Sequence, residues 1–192
     1  MFADAHIETD RLLLRPFTMD DLEAFRAIAS QEAVLEFLPQ SDRMTAEQMR
    51  VVLAWLIECY DANTPERIVK FTLPIVLRSS GEVVGWCGLG PLEFDESDVE
   101  LYFVVSSDRW RRGFATEAAG ALLDYAFGTL RVPRVVAVVD PRNTGSVRVV
   151  EKLGMHRERT VRGLAAEHAD YEGHVLYSMD ATDHAGIAKA VD

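Results

Sequence analysis

A chain of 192 residues, 48% hydrophobic and 27% charged, has the size and balance of one soluble globular domain with a substantial core. Its 31 acidic and 20 basic residues give a formal charge of −11, the opposite of the bias a nucleic-acid binder would show. No apolar run reaches the roughly 18 residues of a membrane span, and the opening Met-Phe-Ala-Asp-Ala-His lacks the basic and apolar segments of a secretory signal.

Residues 11–15 read as a first strand. Thr18 then caps a helix that carries Leu22, Phe25, Ile28 and Ala29 on one face. Thr45-x-x-Gln48 is a capping box before a second helix, where Met49, Val52, Leu53, Leu56, Ile57 and Tyr60 recur at helical spacing. Trp55 and Tyr60 fall in that apolar period and are read as core. Asn63-Thr64-Pro65 ends the helix. Strands over 69–78 and 83–91 are joined by Ser79-Ser80-Gly81, a hairpin signal. Asp95–Asp98 reads as the turn into a strand over 99–105. A helix from about Ala115 to Leu130 follows, with Ala119, Leu122, Ala126 and Phe127 inward. Pro133 resets the chain into a strand over Arg134–Val139, and Val147–Leu153 forms a short helix ended by Gly154. Strands near 155–160 and 173–180 complete a mixed sheet flanked by helices in a single α/β domain. The polar, alanine-rich tail from Ala181 reads as frayed. Cys59 and Cys87 are read as reduced packing residues of a cytoplasmic protein.

The most informative run is Val99–Ala119, where an apolar strand passes through a basic turn at Gly113 into an alanine-rich helix. That order gathers free backbone N–H groups, the positive end of a helix dipole and two arginines at one spot. Such a spot holds a polyphosphate. Each charge-assisted bond from a turn amide to phosphate contributes about 1.5–3 kcal/mol, so a few of them anchor a ligand without a dedicated lysine. Gly113 suits the position because its missing Cβ lets backbone approach the ligand. The alternative is an ordinary turn with solvated arginines. A P-loop does not fit, since no Gly-Lys-Ser/Thr follows, and one glycine falls short of a dinucleotide-binding fingerprint.

Here the chain resembles motif A of the GNAT superfamily of N-acetyltransferases, and most nearly its ribosomal-protein-alanine N-acetyltransferase-like branch with its small-molecule relatives. Four further segments resemble the same family in order. They are Thr9-Asp10-Arg11-Leu12-Leu13-Leu14-Arg15-Pro16, Gly85-Trp86-Cys87-Gly88, Asn143-Thr144-Gly145-Ser146 with Glu151-Lys152-Leu153-Gly154-Met155, and Val175-Leu176-Tyr177-Ser178-Met179. The resemblance spans residues 7–180, read as the N-acetyltransferase domain, and leaves 181–192 as a polar tail. It implies a mixed, mostly antiparallel seven-stranded sheet whose fourth and fifth strands splay apart. The splay would free backbone groups on Leu101–Val105 to bond the pantetheine arm of acetyl-CoA. By the same resemblance Phe103, Val104 and Val105 line the pantetheine and acetyl group. Arg111, Arg112, Gly113, Phe114, Ala115 and Thr116 surround the pyrophosphate. Asn143 and Ser146 touch the arm from the other side. Trp110 stands where many members carry Arg or Gln, and is read as a cofactor contact or as a plain core or surface residue.

The implied reaction is acetyl transfer from acetyl-CoA to a primary amine, by direct attack in a ternary complex. Strand N–H groups near Val105 would serve the oxyanion. Deprotonating a lysine-like amine at pH 7 costs about 4.6 kcal/mol and an α-amine about 1.4 kcal/mol, so an α-amine or small low-pKa amine needs only a weak base. Glu100, which opens the motif strand, is the candidate base, with Glu93 in reserve; the competing role for Glu100 is to order a strand end or a salt bridge. The family's usual thiol-side acid is replaced by Val150. Ser146 is then either a donor to the sulfur or a helix-start residue. His168 and His174 either face the acceptor or are structural. No Cys/His/Asp cluster has metal-ligand spacing, so no metal is expected.

The acceptor, a protein N-terminal amine or a small-molecule amine, would sit among the first two helices, the loop at Phe37-Leu38-Pro39 and the segment Arg162–Gly173. Tyr102, Glu36 and Asp170 are candidate amine-recognising groups. The acidic exterior suits a cationic amine, though it equally serves solubility. No nucleic-acid or membrane partner is expected, and a homodimer is left open. The competing function is a non-catalytic acyl-CoA-binding or sensing module with the same fold.

Overall fold

The computed structural model describes residues 1–38 and 44–184. Strands β1 (Ile7–Glu8), β2 (Leu12–Leu14), β3 (Phe71–Leu77), β4 (Val83–Leu92), β5 (Asp95–Val105), β6 (Arg134–Val139), β7 (His156–Thr160) and β8 (Val175–Asp180) form one sheet. Their order is β1-β2-β3-β4-β5-β6-β8-β7, and every neighbouring pair is antiparallel except β5 with β6. The sheet is the expected one plus an eighth strand. That extra strand, β1, has two residues and folds back on β2 through Ile7↔Leu14 and Glu8↔Leu13, too short to show a period in sequence.

Helices α1 (Leu22–Ala29), α2 (Glu32–Leu35) and α3 (Ala46–Ala62) precede β3, α4 (Phe114–Gly128) follows β5, and α5 (Thr144–Lys152) follows β6. Side chains alternate across a strand, so Trp86 and the Phe71–Leu89–Leu101 row lie on opposite faces. The Phe25 ring of α1 meets Trp86 at 4.8 Å, while Tyr125 of α4 meets Phe71 at 6.1 Å. Helices α1 and α3 therefore cover one face, and α4 with α5 the other. The capping box forms as read: Gln48 N–H donates to Thr45 Oγ1 at 3.3 Å and Thr45 N–H to Gln48 Oε1 at 2.7 Å.

Three readings need correction. Trp55 is 45% exposed rather than core; it sits one residue, a turn of about 100°, from buried Leu56 and so leaves the inward stripe that Leu53, Leu56 and Tyr60 occupy. Asp95–Asp98 is strand, not turn: Asp95 pairs with Leu92 and, past a register shift, Val99 pairs with Pro91, so the tight turn is Glu93-Phe94, with Phe94 packed on a small apolar cluster around Leu92 and Leu176. Residues 181–184 are not frayed. They make a helical turn in which Ala181 N–H donates to Pro133 C=O at 3.0 Å and His184 Nε2 meets Asp124 Oδ1 at 2.7 Å.

The feature that makes a site is the divergence of β5 from β6. β5 pairs with β4 from Val99 to Val105, but with β6 only at Val99↔Val135 and Glu100↔Val136. Beyond that point β6 continues against β8 alone, to Val139↔Val175. Ser106 N–H bonds Val84 C=O at 2.8 Å, which sets the alternation along β5. The N–H and C=O of Phe103 and the N–H of Val105 consequently face the gap.

Candidate active site

The turn after β5 contains two residues with left-handed backbone, Arg111 at φ 62° and Gly113 at φ 82°. Glycine takes that conformation freely, whereas at Arg111 it costs roughly 1 kcal/mol. The curl leaves α4 beginning with its amides aimed outward. Among the described residues, the backbone N–H groups of Arg111, Arg112, Gly113, Phe114, Ala115 and Thr116 donate to no protein acceptor; the first helical bond is Glu117 N–H to Gly113 C=O at 3.0 Å. Arg111 and Arg112 are exposed beside them. Six unpaired donors, a helix N-terminus and two arginines are the chemistry a diphosphate needs. Trp110 bends its indole back to donate to Val105 C=O at 2.7 Å, so this half-exposed ring ties the turn to the strand end.

The opposite wall of the gap is the start of α5. Asn143 caps it, its Oδ1 accepting from Ser146 N–H at 3.0 Å. The Ser146 hydroxyl is half-buried and has no protein partner among the described residues. Val150 is wholly buried, so the position of the family's usual acid supplies only packing. Of the strand residues, Phe103 and Val105 turn their side chains to the α4 face and Val104 to the α1 face, by alternation.

At the vertex of the gap stands Glu100. Burial pushes its carboxyl up to about 7, further raised by Glu93 and opposed by Lys70 and by a hydrogen bond with the Val138 backbone. Lys70, just before β3, lies beside Gly90 of β4, which pairs with Glu100 of β5, and its ammonium stands 4.2 Å over the Tyr102 ring. The Tyr102 hydroxyl reaches across Gly88 to Thr72 Oγ1 at 2.5 Å, and any Cβ on Gly88 would collide with that ring. This fixes Tyr102 beside Glu100. Asn63, ending α3, holds the start of β3 by accepting from Val69 N–H at 2.7 Å and donating to Lys70 C=O at 2.9 Å.

A cleft of about 420 Å³ opens beyond this cluster, lined by Trp55, Val69, Lys70, Pro91, Glu93 and His168 among others. Glu93 and His168 thus share a wall, while His174 lies elsewhere, beside Asp140. Burial holds the His174 imidazole below its usual value, with Asp140 and Asp170 opposing. Asp140 is itself tied to Arg142 at 2.6 Å, and Glu36 lies within electrostatic reach of that arginine. Pro39 lies outside the described residues. Sequence reading missed Gln31, between α1 and α2: its amide accepts from Ser107 N–H at 2.7 Å and donates to Ser106 Oγ at 2.8 Å. The α1–α2 corner is thereby docked on the end of β5, with Glu36 near the end of β6. No periodicity could mark such a long-range polar contact.

The family described as "Acetyltransferase (GNAT) domain" matches residues 11–156, most of the chain. The chain belongs to that GNAT family. Its relatives include an uncharacterized N-acetyltransferase, YnaD, of Bacillus subtilis, 31% identical over 80% of this chain and 84% of that one. Spermidine N(1)-acetyltransferase of Escherichia coli is 23% identical over 76% and 73%. Among solved structures, a GNAT-family acetyltransferase from Bacillus anthracis superposes with TM-score 0.74 at 28% identity, over 93% of this chain and 99% of its own. The ribosomal-protein-S5-alanine acetyltransferase of Vibrio fischeri shares the fold, with TM-score 0.73 at 19% identity over 94% and 98%. This GNAT protein is thus an N-acetyltransferase enzyme, and acetyl-CoA is the acetyl donor general to its family.

Proposed function

We propose that this enzyme seats acetyl-CoA with its diphosphate on the Arg111–Thr116 amides and its pantetheine arm against Phe103–Val105, and acetylates a primary amine that enters from the Trp55–Glu93 cleft. The observation carrying the reading is the half-paired strand: six unsatisfied amides at one end, a proton-tuned carboxylate at the other, and open backbone between. When bound, acetyl-CoA supplies an activated acetyl thioester. The chain's residues do the rest. Phe103 and Val105 offer strand-like bonds to an extended arm from one side, while Asn143 and Ser146 approach from the other. Glu100 takes the proton of the incoming ammonium, directly or through water, and a carboxyl near 7 is matched to that transfer at neutral pH. Ser146, with a free hydroxyl on the α5 wall, is the donor toward the departing sulfur.

Glu93 and Glu96 at the cleft favour a cationic acceptor, and the exposed Trp55 ring gives its apolar body a surface. That chemistry fits a small amine, as in the spermidine-acetylating relative, at least as well as a protein N-terminus. We place the enzyme in the cytoplasm, in keeping with two buried, unpaired thiols. The test is thiol release from acetyl-CoA across a panel of alkyl, aromatic and polycationic amines and short peptides. Acceptor-stimulated release by cationic amines is expected. Tight coenzyme A binding with no stimulated release by any amine would favour the sensing module instead, for which buried Val150 is the structural argument.

A further inference from the structure

Arg11 precedes β2 and lies about a hundred residues from the phosphate turn in sequence, yet its guanidinium is spent entirely on that turn. Nε donates to Glu117 Oε2 at 2.7 Å and Nη2 meets the same carboxylate at 2.5 Å. Nη1 donates to Arg112 C=O at 3.0 Å. The guanidinium carbon stands 4.8 Å over the Phe114 ring, and Nη2 passes 3.3 Å from where a Cβ on Gly113 would be. Glu117 also accepts from Arg11 N–H at 3.1 Å and from the Thr9 hydroxyl at 2.5 Å. The β1–β2 corner is thus bolted to the first turn of α4.

Two consequences bear on an anion. The Arg112 carbonyl lies between the two left-handed residues, so holding it fixes the curl that turns six amides outward. Glu117 would otherwise be a bare negative charge beside the anion seat. Although burial opposes it, hydrogen bonds from Thr9 and Arg11 keep its carboxyl below the ordinary range, hence ionised. Arg11 cancels that charge. The pair is half-exposed, and exposed pairs add little to stability, so its weight falls on geometry and local potential.

We propose that Arg11 is a positioning residue of the diphosphate seat, holding the Arg112 carbonyl and neutralising Glu117 so that the turn amides meet an anion unopposed. The inference rests on acetyl-CoA occupying this turn, and the test separates the two claims. Calorimetry with coenzyme A is run on the wild type, Arg11→Met, Arg11→Lys and Arg11→Met/Glu117→Gln. Turnover with acetyl-pantetheine, which lacks the diphosphate, is run on the same proteins. Arg11→Met should weaken coenzyme A binding by about ten- to hundredfold and leave kcat/KM for acetyl-pantetheine within about twofold. Arg11→Lys should fall between, keeping the charge and losing the fork. The double variant should regain part of the loss, because the uncovered carboxylate is gone. Equal coenzyme A affinity in Arg11→Met, parallel loss with both donors, or no regain in the double variant would each overturn the role of Arg11. A wild type that does not bind coenzyme A would instead sink the cofactor site itself.

Discussion

The two ends of the stretch from Glu100 to Gly113 are built from different materials. At the Gly113 end, six consecutive unpaired backbone amides, two flanking arginines and a helix N-terminus are delivered by one continuous stretch of chain. At the Glu100 end, one carboxyl is raised chiefly by desolvation and then by Glu93 after β4, against the opposing pull of Lys70 before β3 and the Val138 backbone of β6. An array of equivalent dipoles spreads its binding over many bonds and tolerates loss of any one. A single tuned acid does not. Binding should therefore erode gradually under substitution at the turn, while catalysis should fail sharply at the vertex.

The sharpest way to break this contrast is Glu100→Gln. It should lower kcat by about 10²–10⁴-fold near neutral pH, with partial recovery as pH rises and the amine loses its proton unaided. In the wild type, kcat should climb through about pH 7 as Glu100 ionises. A pH-independent loss would make Glu100 structural. Stability gives an independent check. The folded carboxyl lies above its ordinary 4.5, so its contribution is complete below that value and is lost as pH rises through about 7. Glu100→Gln should therefore melt higher, relative to wild type, at pH 8.5 than at pH 5.

Gly113→Asp comes next. A Cβ in left-handed backbone near Arg11, with a negative charge at the anion seat, should weaken coenzyme A about tenfold or more by calorimetry. Unchanged affinity would remove the backbone seat from the argument. The smallest effect is expected for Ser146→Ala, about fivefold in kcat, the worth of one neutral hydrogen bond. A loss as large as that of Glu100→Gln would mean that both walls of the gap carry chemistry, and the contrast would fail.

Much of the fold was legible because its signals are local. The Thr45–Gln48 box, the periodic stripe of α3 and the strand-turn-helix run each depend on neighbours along the chain. Errors fell where tertiary context outvoted local pattern. Trp55 lies just off an apolar stripe yet faces the cleft, and the acidic 95–98 run reads as turn yet is strand, started by the Leu92↔Asp95 pair. In the candidate site, the left-handed turn at Gly113 between β5 and α4 could be read from the sequence, whereas Gln31, Lys70 and Arg11 could not be linked to it. Their partners lie far off in sequence, and a polar residue carries no periodic mark of its distant contact.

The sequence alone determined a strand that runs through a glycine turn into a helix, because φ preferences, caps and helix dipoles act within a few residues. Only the tertiary structure decided that β6 would part from β5 after Glu100 and that Glu100 would be half-buried within reach of Lys70 and Glu93. Strand divergence and desolvation belong to no segment. They arise when remote pieces of chain compete for the same space and the same hydrogen bonds.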